Sequence, residues 1–207
     1  QMFYFFFAYQ QLHKRQKNIV FSVPSGNFGN ICAGLVAYRS GLPVKHFIAA
    51  CNANDVVPEF FETGEYRPKP SVSTLSNAMD VGAPSNFERL RWLYRGDDAA
   101  LRAAFVSASV DDAAIRETIE RRYAQHGEVF CPHTATAIKV LEDLRAKGES
   151  GDWAVASTAH PAKFESVVEP LIGRPVEVPP SLAALLQRPA HADPIPAQYE
   201  ALRERIG

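Results

Sequence analysis

Cysteine is scarce in this chain: Cys32, Cys51 and Cys131 are its only three, an odd number spread far apart. That spacing argues against both a disulfide framework and a clustered metal site, and lone thiols point to a reducing, cytoplasmic setting. Basic residues form no block, and 22 Lys and Arg against 23 Asp and Glu leave a net charge of −1. A nucleic-acid partner is therefore not expected. No apolar run approaches the ~20 residues of a membrane-crossing helix. The aromatic opening stretch also lacks the positive region and small-residue cleavage site of a secretory signal. What is present suffices for a sizeable core: 46% of the 207 residues are hydrophobic and 22% charged, ordinary values for a globular domain.

Residues 19–40, IVFSVPSGNFGNICAGLVAYRS, organise the rest. Five residues of high strand propensity end at Pro24, and a Ser-Gly-Asn-Phe-Gly-Asn turn leads into a run with helical spacing. A strand, a glycine loop and a helix start leave the first helical N–H groups unpaired at the positive end of the helix dipole, which suits a phosphate. Gly26 and Gly29 permit close backbone approach, and Ser25 and Asn27 can add side-chain hydrogen bonds. A tight turn without a ligand is the plainer alternative. Neither G-x-x-x-x-G-K-[ST] nor G-x-G-x-x-G is present, so a lone phosphate on a small cofactor or substrate fits better than a nucleoside triphosphate or a dinucleotide.

Four segments, VPSGNFGN, GLPVKHFIAACNANDVVPEF, STLSNAMDV and STAHPAKFESVVEP, occur in the order found in the carboxy-terminal half of threonine synthase, and the chain resembles that family from residue 1 to the tail beyond Glu177. The resemblance implies the large domain of a tryptophan-synthase-β-like, fold type II pyridoxal-phosphate enzyme: an α/β fold with a parallel sheet and flanking helices. It implies that Ser25, Gly26, Asn27, Phe28, Gly29 and Asn30 hold the phosphate of pyridoxal 5′-phosphate, and that Thr158 faces the pyridine nitrogen. Many members have Asp where this chain has Asn30. The resemblance also implies that Ser76 and Asn77, in the segment like the family's SNAMD, lie on the substrate side, a purely structural role being the alternative.

The implied reaction converts O-phospho-L-homoserine and water to L-threonine and phosphate. Two alternatives are a non-catalytic phosphate- or metabolite-binding module of the same fold, and another fold type II lyase or dehydratase. A Schiff-base lysine is required, and the family's lies in the amino-terminal half, expected upstream of Gln1. None of Lys14, Lys17, Lys45, Lys69, Lys139, Lys147 or Lys163 takes its place. The chain alone is therefore expected to be inactive, with the amino-terminal half of the same enzyme as its missing partner.

The remaining chain supports an α/β reading. Residues 1–9 read as a buried aromatic helix, and the lack of a capping residue at its start predicts further chain before it. KHFIAA, residues 45–50, reads as a buried strand completing a β-α-β unit, after which Asn52 and Asn54 either line the pocket or serve as turn and cap residues. Residues 61–83, rich in Pro, Ser and Thr, read as a long loop. Ser85 with Glu88 predicts a capping box; Ile115, Ile119 and Tyr123 mark one helix, and Ile138, Leu141 and Leu144 another between Pro132 and Gly148. His133 reads as a capping or packing residue, with polarisation of a phosphate as its functional alternative. Residues 152–157 read as another strand running into a polar turn, which predicts a second loop, with Thr158, on the same sheet edge as Gly26. From Pro175 to the end, repeated prolines predict an irregular tail with local helix, packed on the domain.

Overall fold

A computed structural model describes residues 1–15, 18–189 and 191–207; Lys17 lies outside them. It falls into two units, Gln1–Val176 and Glu177–Gly207. In the first, the order is α1 (Met2–Leu12), β1 (Ile19–Pro24), α2 (Gly29–Arg39), β2 (His46–Cys51), α3 (Val56–Thr63), a 3-10 turn (Asn77–Met79), α4 (Asn86–Leu93), α5 (Asp98–Ala104), β3 (Phe105–Ser109), α6 (Asp112–His126), α7 (Pro132–Ala146), β4 (Asp152–Val155), a 3-10 turn (Pro161–Lys163) and α8 (Glu165–Ile172). The second holds α9 (Pro180–Leu186) and α10 (Tyr199–Ile206). α9 is a local helix of the kind expected in the tail.

The four strands form one parallel sheet in the order β3-β2-β1-β4. β1 pairs with β2 from Val20↔His46 to Pro24↔Ala50, and with β4 from Ile19↔Asp152 to Ser22↔Val155. All six residues of β1 are buried, as expected for a central parallel strand covered on both faces. On one face Phe21 and Val23 of β1 and Phe47 of β2 pack under α1 and α2; Phe5 meets Phe21 and Phe47 edge-on at 5.2 Å each. Such aromatic pairs add ~0.5–1.5 kcal/mol beyond their burial. On the other face Val20, Ile48 and Ala50 pack against Ala137, Val140 and Leu141 of α7. The one polar side chain of β1, Ser22, donates to the Ala137 carbonyl at 2.8 Å, which satisfies a hydroxyl that burial would otherwise penalise.

Three expectations need correction. α1 is helical but not buried: Phe5 is, while Phe3, Tyr4 and Phe7 are 68%, 74% and 66% exposed, because a run aromatic all round covers the core with only one face. β3 has no counterpart in the sequence reading, where its stretch fell among helices. Ser85 makes no capping bond within α4; its hydroxyl donates instead to Asn27 Oδ1, 3.1 Å away.

Candidate functional site

β1 and β4 are parallel neighbours, so the loops that follow them leave the same sheet edge. The loop after β1 enters α2 through Phe28, which sits at φ 60°. That left-handed conformation is rare for a bulky side chain and costs about 1–3 kcal/mol; burial of the ring, 3% exposed, holds it there. The result is an abrupt entry into an 11-residue helix that has neither a side-chain cap nor an acidic residue in its first turn. The first-turn N–H groups of α2 thus lack intrahelical acceptors and keep the positive end of the dipole uncompensated.

A cavity of about 380 Å³ opens at this helix start, lined by Gly26–Asn30 on one side, Ala78 and Met79 on another, and His133, Thr158 and Lys163 on the rest. A second cavity of about 700 Å³ adjoins it, sharing Asn30 and Thr158 and running along α1 and β4 past Phe21, Val23 and Trp153. Thr158 is exposed, so its hydroxyl is open to a ligand spanning both spaces. The donors fit a phosphorylated aromatic group: helix N–H groups without intrahelical acceptors, an exposed lysine and a neutral hydroxyl, with no carboxylate among the described residues around the smaller cavity. His133 adds a buried ring nitrogen, Nδ1, that has no partner among the described residues.

Not every loop residue turns toward the cavity. Ser25 is buried, with its N–H donating to the Ala50 carbonyl and its hydroxyl to the Val23 carbonyl, so it locks the loop to the end of the sheet. Asn27 Oδ1 accepts from the N–H and hydroxyl of Ser85, while its carbonyl accepts from Asn86 Nδ2. Asn27 still lines the cavity, as do Gly26, Phe28, Gly29, Asn30 and Thr158, so Ser25 alone of the loop residues is turned away. Ser76 is fully buried and Asn77 exposed; neither lines either cavity, and Ala78 and Met79 of the same segment do.

Asn52 and Asn54 stand behind this wall. Asp80 gathers four donors: Asn52 Nδ2 at 2.8 Å, Asn54 Nδ2 at 3.2 Å, the Thr74 hydroxyl at 2.6 Å and the Thr74 N–H at 3.0 Å. Asn52 Oδ1 accepts from the Asn54 N–H at 2.9 Å, and Asn54 reaches both the carbonyl and the N–H of Val72. Charge-assisted bonds of this kind in a shielded place are stronger than neutral ones. They tie the long loop to the end of β2. Proximity in sequence foretold the site's edge, but the bonds that tie Asn52 and Asn54 to Val72 and Asp80 span 18 to 28 residues and carried no local signal.

The pyridoxal-phosphate-dependent enzyme family profile matches residues 6–161, and the profile for the threonine synthase carboxy-terminal region matches residues 134–206. The chain is 42% identical over 205 residues to a threonine synthase of Serratia marcescens, covering 99% of this chain and 47% of that protein. Among solved structures, the threonine synthase of Escherichia coli superposes with a TM-score of 0.86 at 41% identity, over 99% of this chain and 47% of that one. The pyridoxal-phosphate-bound threonine synthase of Brucella melitensis gives 0.79 at 32%, over 91% and 45%. The chain thus spans about half the length of the relatives it matches.

Proposed function

Because the chain belongs to the pyridoxal-phosphate-dependent enzyme family, we propose that the glycine loop at the start of α2 holds the phosphate of pyridoxal 5′-phosphate, and that the chain forms part of a threonine synthase acting on O-phospho-L-homoserine. The observation that carries this reading is the parallel pairing of β1 with β4, which brings the uncapped helix start and Thr158 to one edge around adjoining cavities. When bound, the cofactor supplies an electron sink for carbanion chemistry.

This chain's residues do the holding and tuning. First-turn N–H groups of α2 bind the phosphate oxygens; Lys163, exposed at the rim, adds positive charge. Thr158 offers the pyridine nitrogen a neutral hydroxyl, which does not keep that nitrogen protonated as an aspartate would. Ala78 and Met79 close one side of the cradle against water. The lysine that binds the cofactor covalently is assigned to threonine synthase sequence outside this chain. That same sequence is the partner we assign to the exposed aromatic face of α1. A reducing cytoplasm suits its three free thiols.

The test measures phosphate and pyridoxal-phosphate binding by the chain, and phosphate release from O-phospho-L-homoserine with the cofactor supplied. Non-covalent binding without turnover is expected from the chain alone, with turnover appearing when the remaining threonine synthase sequence is fused or added. Absence of any anion binding refutes the cradle, and turnover by the chain alone that is lost on replacing one of its lysines refutes the assignment of the covalent lysine.

A further inference from the structure

His133 is the second residue of α7 and is 4% exposed, with its ring against Phe164 at 4.8 Å between centroids. Its Nε2 lies 3.2 Å from the Ala78 N–H and accepts from it. An accepting Nε2 is unprotonated, so in the neutral ring the proton sits on Nδ1. Burial favours that neutral form. A side chain on the helix that packs beneath β1 therefore grips the main chain of the turn that walls the cradle.

The turn touches the glycine loop directly. A Cβ on Gly26 would stand 2.4 Å from the Met79 Cα and 3.0 Å from its carbonyl carbon and oxygen, so the two backbones are in contact. Met79 donates its N–H to the Ser76 carbonyl at 2.8 Å, which makes Ala78 the middle of a tight 3-10 turn. On its far side the turn ends at Asp80, with its four donors. One anchor fixes the turn to the end of β2, and His133 fixes it to α7.

We propose that His133 is a positioning residue: by accepting the Ala78 amide it latches the Asn77–Met79 turn against Gly26 and so sets the width of the phosphate cradle. The inference rests on reading the glycine loop as the phosphate site. It assigns the ring a task that packing alone would not need, since a phenylalanine could fill the same space against Phe164. Among the described groups, Asp80 at the end of the turn bears on the His133 charge, and Lys163 lines the same cavity.

The experiment compares wild type with His133→Phe, which keeps the ring volume but cannot accept, and His133→Gln, whose side-chain oxygen reaches about where Nε2 stands. Exchange of the Ala78 amide is followed by NMR in phosphate-free protein, and inorganic phosphate is titrated calorimetrically. His133→Phe is expected to exchange the Ala78 amide about tenfold faster and to bind phosphate about tenfold more weakly, the scale of one lost hydrogen bond. His133→Gln restores both to within about threefold. Wild-type behaviour of the Phe variant, or a Gln variant no better than Phe, overturns the latch. If His133→Phe does not fold, His133→Asn, too short to reach Ala78, takes its place with the same expectations. Wild type that binds no phosphate refutes the cradle reading instead, and the exchange measurement still decides the latch.

Discussion

Gly26 and Met79 meet backbone to backbone: the missing Cβ of the glycine would lie 2.4 Å from the Cα of the methionine, closer than any side-chain shift can relieve. Gly26 is therefore needed by the protein itself, before any ligand arrives. Gly29 differs, since a Cβ there would have ordinary room, 3.6 Å from Asn86 Nδ2. Gly26→Ala is expected to lose about 1–3 kcal/mol of stability, the usual cost of overpacking, and to weaken phosphate binding by displacing the turn. Gly29→Ala should leave stability nearly unchanged. Urea denaturation of both variants checks this, and equal midpoints for Gly26→Ala and wild type would remove the packing argument.

A buried histidine makes the fold sensitive to acid. Burial holds both His133 and His46 below the usual 6.5, outweighing Asp80 beside the first and Glu149 beside the second; Lys45 also lowers His46. Between those lowered values and 6.5 the unfolded chain takes up protons that the folded chain refuses, so stability is complete above about 6.5 and declines as pH falls through that value. Urea midpoints from pH 8 to pH 5.5 should fall less steeply in His133→Gln than in wild type, with His46 accounting for part of what remains. Parallel decline in the two proteins would show that His133 is not buried in its neutral form.

What could be read in the sequence was what is locally encoded. β1, the glycine loop and α2 announce themselves by an apolar run, a turn and helical spacing, and the parallel β4 follows from the same order repeated at Asp152. β3 was silent for a physical reason: FVSAS is short, half polar and follows an alanine-rich helix, so its strand character comes from pairing with β2, from Phe47↔Phe105 to Cys51↔Ser109. The capping box at Ser85 failed because Asn27, 58 residues away, offers the hydroxyl a better-placed oxygen. The wall of the site was partly legible: its segment was marked by polar composition, yet the residues that reach the cavity are its apolar Ala78 and Met79. Ser76 and Asp80 face the other way, into hydrogen bonds that no spacing rule contains.

Thiol chemistry separates the three cysteines. Complete burial pushes the Cys51 thiol up to about 12, with a hydrogen bond to Ser107 opposing it and Asp55 adding to it; burial also raises Cys32, with Arg89 opposing it. Cys51 and Cys131 are buried and Cys32 only half so. Since reaction requires thiolate and access together, iodoacetamide at pH 8 should modify Cys32 first and slowly, and Cys51 and Cys131 only once denaturant is added. Mass spectrometry of tryptic peptides reads the order, and early labelling of Cys51 in native protein would contradict the packing of β2.

The last prediction concerns the seat of α2 on the sheet. Gly34 lies on the buried face of the helix, where a Cβ would come 2.6 Å from Phe47 Cε1 and 3.0 Å from Cζ. Phe47 is fully buried, stacked on Phe21 at 5.7 Å and met edge-on by Phe5, so its ring has nowhere to retreat. Two effects of Gly34→Ala oppose one another. Alanine favours the helix by about 1 kcal/mol over glycine, while forcing a methyl into a filled core costs about 1–3 kcal/mol. Because the obstructing atoms belong to an immobile ring, the second effect wins, and a net loss of up to about 2 kcal/mol is expected from the same two magnitudes. The helix must then lift from β2, and its first turn, which carries the phosphate-binding N–H groups, moves with it. Gly34→Ala should therefore weaken phosphate binding although it lies more than a turn beyond the loop, and Phe47→Leu in the same chain should recover part of both losses by opening space beneath the new methyl. A Gly34→Ala variant more stable than wild type would show that helix propensity outweighs packing at this face.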